Sequence, residues 1–244
     1  MGYTVVTLAE RPELEADLPR LHSANWPEFV MEDAVALQYW GSLFSTFPEF
    51  QYFLCDEEDE VCAAGHAIPL AWDGTTAGLL AGWDEALVHG VLHREQTPNV
   101  LCGLSIVVDP EIKSQGLSTR MVLAMKDIAL QQSLHTLIIP LRPAQKHQYP
   151  LIPMEDYIQW TRADGAPFDG WLRTHMRQGA RILSVAPRSM VTRGSVSQWE
   201  TWTGQTFPGS GLYVVEGALS PISIDRVQDQ GLYEEPNVWI SYTF

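Results

Sequence analysis

The chain has 244 residues, 45% hydrophobic and 18% charged, which suits one large domain with a substantial core and excludes a mainly disordered chain. Asp and Glu number 30 against 15 Lys and Arg, a formal net charge of −15, which repels phosphate backbones and argues against a nucleic-acid partner. The three cysteines, Cys55, Cys62 and Cys102, form no CxxC pair, so neither a disulfide framework nor a metal site is expected.

The N-terminal residues lack the basic and apolar segments of a secretion signal, and no apolar stretch has membrane-spanning length; a cytoplasmic protein without membrane contacts is expected. Tyr3–Leu8 alternates and reads as a strand. Pro12 to His22 carries Leu14, Leu18 and Leu21 at helical spacing, and Glu32–Phe44 is a second helix candidate. Gln51–Cys55 and Val61–Leu70 read as strands around the acidic turn 56–60, a solvated hairpin tip. A short helix is expected near Trp83–Arg94, then a buried strand over Val100–Val108, an amphipathic helix over Leu117–Gln132 and a strand over His135–Leu141.

The join between strand and helix carries the chemistry. Asp109-Pro110 ends the strand, because proline has no N–H to give to a ladder. Lys113-Ser114-Gln115-Gly116-Leu117-Ser118-Thr119 then leads into the helix. Gly116 tolerates backbone conformations closed to other residues. A helix N-terminus presents unpaired N–H groups at a positive dipole end. Hydroxyls from Ser118 and Thr119 and the charge of Lys113 complete the chemistry of a pyrophosphate cradle.

The stretch Val107-Val108-Asp109-Pro110-Glu111-Ile112-Lys113-Ser114-Gln115-Gly116-Leu117-Ser118 resembles the signature of the GNAT acyltransferase superfamily. That signature is Arg or Gln, two residues, Gly, one residue, then Gly or Ala. Lys113 stands where the family has Arg or Gln, and Ser118 where it has Gly or Ala. A lysine there meets phosphate as a point charge instead of a guanidinium fork. The order of elements agrees with the family. The resemblance implies an α/β (α+β) fold, with a mixed, mostly antiparallel central sheet whose fourth and fifth strands splay apart, flanked by helices. It also implies acetyl-CoA or another acyl-CoA as co-substrate. Pantetheine would bond the backbone of Ile106, Val107 and Val108, and Lys113, Ser114, Gln115, Gly116, Leu117, Ser118 and Thr119 would hold the pyrophosphate. The oxyanion would be held by a backbone N–H near Val107.

Beyond the fifth strand the chain departs from the short family pattern. The proline-rich segment 140–167 contains Arg142, Lys146 and His147, basic groups in an acidic protein. They read either as contacts for a carboxylate or phosphate or as a solvated loop; Arg142, Lys146, Tyr149 and Tyr157 are the substrate-binding candidates. Met154–Thr161 reads as a short helix, and Phe168–Gly179 as a helix capped by Gly179. The family's proton donor to departing thiolate is a tyrosine, and His175 falls at that position; a packing role is the alternative. Glu155, Asp156, Asp164 and Glu200 are candidate bases for the acceptor amine. Arg181–Ala186 reads as a strand, Ser195–Thr203 as a helix with a Ser195/Gln198 capping box, and Gly211–Leu219 and Pro236–Tyr242 as strands. Trp199, Trp202, Phe207 and Trp239 read as core first and as the wall of an acyl or acceptor pocket second.

The expectation is one GNAT-like domain over residues 1–244, with 1–141 carrying the CoA site and 142–244 the acceptor side. Its activity would be acyl transfer to a small-molecule or peptide amine by direct attack, in a chain able to pair as a homodimer. Thioester chemistry of another kind, decarboxylation or transfer to a carrier protein, is the alternative, and a non-catalytic CoA-binding module is the third.

Overall fold

The computed structural model describes residues 2–112 and 116–244. Strand β1 (Thr4–Thr7) is followed by a 3-10 helix over Pro12–Asp17 and then α1 (Leu18–Asn25). The single helix expected here is thus two. Pro19 opens the α-helical part, where a missing N–H costs nothing. Helix α2 (Glu28–Met31) follows, and the expected helix over 32–44 divides into α3 (Ala34–Tyr39) and α4 (Gly41–Thr46). Asp33 caps α3, its side chain accepting from Val35 N and Ala36 N at 2.9 Å.

Hairpin strands β2 (Gln51–Cys55) and β3 (Val61–Leu70) match the sequence reading. So do α5 (Trp83–Leu92), β4 (Val100–Val108), α6 (Leu117–Gln131) and β5 (Thr136–Leu141), within a residue or two at their ends. Short α7 (Met154–Tyr157) precedes α8 (Gly170–Arg177). Asp169 caps α8 through Trp171 N and Leu172 N.

The C-terminal third differs more. Strand β6 runs from Arg181 to Gly194, well past Ala186. Pro187 lies where the register between Ala186 and Met190 shifts, so the ladder breaks at a residue that cannot donate and then resumes. Its partner β9 (Gln230–Thr243) starts six residues before Pro236, which falls between the paired Glu235 and Asn237 at that same irregularity. Between them lie α9 (Val196–Thr203), with the expected capping box, β7 (Gly211–Tyr213) and β8 (Ile222–Asp225). The strand expected over 211–219 ends at Tyr213; Val215, Ala218 and Leu219 are buried without joining a ladder.

Among the described residues the strands make one nine-stranded sheet in the order β1-β2-β3-β4-β5-β9-β8-β7, with β6 also on β9. Only β4 and β5 run parallel. Alternation along β2 shows the two layers: Phe53 and Cys55 pack with Leu14, Leu18 and Leu21, while Tyr52 and Leu54 join the larger cluster that includes α6. Tyr52 spans that interface by donating to Met121 O at 2.9 Å. Trp199, Phe207 and Trp239 are fully buried in the larger cluster and Trp202 packs against it; none of the four lines the main cavity.

Candidate active site

The central strands part company early. Pairing between β4 and β5 is confined to Leu101 with Leu137 and Cys102 with Ile138. Beyond that point β4 runs on against β3 alone and β5 against β9, leaving the inner edge of β4 from Gly103 onward without a strand partner. A β-bulge at Leu104 bends β4 here: Ser105 pairs His66 and Gly103 pairs Ala67, so Leu104 is the extra residue. Trp83 Nε1 donates to the Leu104 carbonyl at 2.8 Å and anchors the bend.

A cavity of about 400 Å³ opens at this split, within the range of small-molecule sites. Gly103, Leu104, Ser105 and Ile106 line it from β4, and Ile139 to Arg142 from β5 and the residue after it. At Gly103 a β-carbon would stand 2.8 Å from Met125 Sδ and 3.0 Å from Ile139 Cγ1, so glycine lets these two side chains close directly onto the strand. Trp26, Trp40 and Trp83 supply apolar wall.

Two polar constellations face this space. The first is His175 on α8, buried and in edge contact with Trp171 at 4.1 Å between ring centroids. Its Nδ1 lies 2.6 Å from Tyr242 Oη, and its Nε2 is buried with no hydrogen-bond partner among the described residues. Burial first, and the charge of Lys126 second, push the His175 pKa down to about 3, so the imidazole is neutral near pH 7. Tyr242 Oη is much closer to Nδ1 than to the His175 carbonyl at 3.4 Å. With the phenol proton given to Nδ1, the hydrogen of the imidazole stands on the orphaned Nε2; with it given to the carbonyl, Nδ1 is the donor to Tyr242.

The second is Arg142 with Glu235. Arg142 Nε donates to both carboxylate oxygens at 3.0 Å and its Nη2 to Gly217 O at 2.6 Å. Glu235 is fully buried and also accepts from Tyr233 Oη at 2.9 Å and Asn237 Nδ2 at 3.1 Å. The carboxylate is therefore saturated, while Arg142 Nη1 has no acceptor among the described residues and its side chain keeps 17% exposure.

No protein-family model matches the sequence. A curated relative, the arginine N-acetyltransferase avaD of Aspergillus versicolor, is 28% identical over 277 positions, covering 98% of this chain and 93% of the relative. Two solved structures share the architecture along the whole chain. The loading GNATL domain of CurA from Lyngbya majuscula superposes with a TM-score of 0.63 at 18% identity, covering 100% of this chain and 98% of that one. The GphF GNAT-like decarboxylase in complex with isobutyryl-CoA gives 0.59 at 16%, covering 100% and 99%. The chain is a GNAT-fold protein. Its split parallel pair inside an otherwise antiparallel sheet is the feature that the resemblance implied.

On this GNAT fold the residues singled out from sequence fall in three groups. Ile106, His175 and Arg142 line the cavity together. Val107 turns its side chain into the small core with Ala64 and Phe53, and Val108 packs against the larger core while its carbonyl accepts from Asn25 Nδ2. Gly116 adopts the left-handed conformation, φ 73°, at the N-cap of α6. Leu117 is buried in core and Ser118 and Thr119 are half-buried in the first turn, where Thr119 N already donates to Gly116 O at 3.1 Å. Lys113, Ser114 and Gln115 lie outside the described residues.

The remaining candidates stand elsewhere. Glu155, Asp156 and Asp164 are exposed, and Glu200 accepts from Phe207 N; none lines the cavity. Lys146 is buried and spends its ammonium on the carbonyls of Tyr149 and Leu219 at 2.8 and 2.6 Å. Burial lowers its pKa to about 8. Tyr157 donates to Asp169 Oδ2 at 2.9 Å and meets Tyr149 and Trp160 at tilted angles and Phe168 edge-on. These residues brace the long segment after β5 instead of facing the cavity. His22, Trp26, Trp40, Trp83, Glu235 and Asn237 line it without having been singled out as site residues. No local motif marks them, since they come from five separate elements or loops.

Proposed function

We propose that the chain transfers an acyl group from an acyl-coenzyme A thioester to the amine of a small acceptor bearing a carboxylate. The observation that carries this reading is the single cavity at the β4–β5 split, which collects the free edge of β4, the orphaned His175 Nε2 and the Arg142 guanidinium. The fit to an acyl-CoA rests on that free edge. A pantetheine arm has amides that can bond backbone groups of residues 103–106 as an added strand would. When bound, the thioester supplies the activated acyl group.

The residues of this chain then divide the remaining work. Trp26, Trp40 and Trp83 exclude water from the acyl end. His175, held neutral, offers its Nε2 hydrogen to the departing sulfur as a hydrogen-bond donor, in place of the imidazolium proton that a solvent-exposed histidine would deliver. Arg142 Nη1 receives the acceptor's carboxylate. An amino acid carries both required groups, in keeping with the arginine acetyltransferase named above. Acetyl is the simplest donor.

The test is incubation with acetyl-CoA and a panel of amino acids and simple amines, with thiol release and N-acyl products measured. Faster product formation with amino acids than with their decarboxylated amines supports the reading. Thioester consumption with no N-acylated product from any amine overturns it. A second reading, decarboxylation of a carboxyacyl thioester, draws on the same Arg142 Nη1 facing a carboxylate on the acyl chain, and on the likeness to a GNAT-like decarboxylase. Release of carbon dioxide from malonyl-CoA without any acceptor distinguishes it.

A further inference from the structure

A chain of three polar side chains, two of them fully buried, ends in the cavity, and hydrogen-bond logic fixes every proton along it. Gln51, at the start of β2, is fully buried. Its Nε2 donates to Phe47 O at 2.8 Å and to Ala67 O at 2.9 Å, so both amide hydrogens are committed. Its Oε1 must therefore be the atom facing His66 Nδ1 at 3.2 Å. An amide oxygen only accepts, so His66 carries its hydrogen on Nδ1.

His66, on β3, is fully buried. Desolvation first, and His22 second, hold its pKa well below the ordinary value, so the ring is neutral and Nε2 keeps its lone pair. That nitrogen meets His22 Nε2 at 3.1 Å. Two nitrogens at this distance need one hydrogen between them, and His66 has none to give. His22 supplies it, and His22 is itself neutral because burial lowers its pKa to about 4. The lone pair of His22 is thereby placed on Nδ1, which has no hydrogen-bond partner among the described residues.

Packing keeps the pair in place. Trp40 lies edge-on to both rings, at 5.7 Å from His22 and 5.0 Å from His66, and Phe44 closes on His66 at 5.6 Å. His22 is half-buried on α1 and lines the same cavity as Ser105, Ile106 and His175.

We propose that His22 is the catalytic base that takes the proton from the attacking acceptor nitrogen, with His66 and Gln51 as positioning residues that fix its tautomer. This rests on the acyl-transfer reading above. The neutral amine forms the new N–C bond to the thioester carbonyl carbon, which turns its N–H into a far stronger acid than a free amine. That proton passes to His22 Nδ1. The C–S bond breaks with its electron pair on sulfur, which takes a proton from water, and His22 returns its own proton to solvent. Amine and thioester become amide and thiol, with no net change at His22. A weak base suffices because its partner is acidic only at that moment, and a low pKa keeps it unprotonated at neutral pH.

The experiment pairs kinetics with nitrogen NMR on the full chain. In 15N-labelled wild-type protein, His22 is expected to show a protonated Nε2 and a lone-pair Nδ1, with His66 the reverse. His22→Gln is expected to lower kcat for amine acylation by about 10²–10³-fold, with KM for the acyl-CoA held within about two-fold. Added imidazole should restore part of the rate in this variant and none in the wild type, which a purely structural role would not produce. Undiminished kcat in His22→Gln, or a protonated Nδ1 on wild-type His22, overturns the base while leaving acyl transfer intact. A wild type that acylates no amine, whatever its tautomers, overturns the acyl-transfer reading and the base together.

Discussion

Glu235→Gln isolates the cost of stranding a buried cation. In the native chain the carboxylate answers four donor contacts: Arg142 Nε to each oxygen at 3.0 Å, Tyr233 Oη at 2.9 Å and Asn237 Nδ2 at 3.1 Å. An amide keeps one acceptor oxygen and turns its NH2 toward groups that are themselves donors. It also removes the counter-charge of Arg142. Breaking a buried ion pair from one side costs roughly 3–5 kcal/mol, and the 17% exposure of Arg142 places the expectation at the lower end, about 3 kcal/mol. In a chain of this size each kcal/mol moves Tm by about 2–4 °C, so a drop of roughly 6–12 °C is expected. Urea titration and thermal melts at pH 7 read it. The double variant Arg142→Met with Glu235→Met should lose less than Glu235→Gln, because no charge is left behind. A loss under about 1 kcal/mol in Glu235→Gln, or a double variant less stable than it, refutes the account of the pair as a mutually compensated buried unit.

Tyr242→Phe leaves His175 Nδ1 buried without its 2.6 Å partner; about 1–3 kcal/mol of stability should be lost, and kcat should fall with KM for the donor unchanged as the imidazole loses the contact that holds it. Asp84 has its pKa raised from 3.8 to about 8, by burial first and by Asp33 second. With the folded value above the unfolded one, the contribution of this group is fully present below pH 3.8 and lost as pH rises through about 8. Asp84→Asn, which can still accept from Val191 N, should therefore gain stability relative to wild type between those limits by up to about 1.4 kcal/mol per pH unit, measured by denaturant titration at pH 5, 7 and 9 on the two proteins. Gly231→Ala places a β-carbon 2.0 Å from Trp199 Cδ1. The ring is fully buried and has nowhere to move, so the cost should be about 1–3 kcal/mol, and a variant as stable as wild type would show that β9 can shift there.

What was legible in the sequence was local. Strands β2, β3 and β4 and helix α6 came out nearly residue for residue, because each couples a period of 2 or 3.6 to a clear stop: the acidic turn at 56–60, Asp109-Pro110 and Gly116. The capping box at Ser195 and the glycine after α8, Gly179 with φ 91°, are likewise signals held within four residues. Strand β6 was cut short at Pro187 and β9 started late at Pro236 because proline reads as the end of a strand. In the sheet these two prolines share one gap in one ladder, so each excuses the other. That pairing is a property of two segments almost fifty residues apart, and neither segment carries it alone.

The same distinction separates the parts of the site. Of the residues that line the cavity, His175 stands out in the sequence because it sits a fixed distance before a capping glycine, and Arg142 because it is a basic group in an acidic chain. His22 had no such marker. It is one histidine on a short helix, and its chemistry depends on which of its nitrogens holds a hydrogen. That is decided by His66, one strand pair away, and His66 is in turn decided by Gln51, opposite it in the β2–β3 register. The decision begins with Phe47 O and Ala67 O, two backbone carbonyls that commit the amide hydrogens of Gln51. A base of this kind is specified by the register of a hairpin, so a one-residue slip between β2 and β3 would turn Gln51 away from His66 and release the tautomer without altering a residue that faces the cavity.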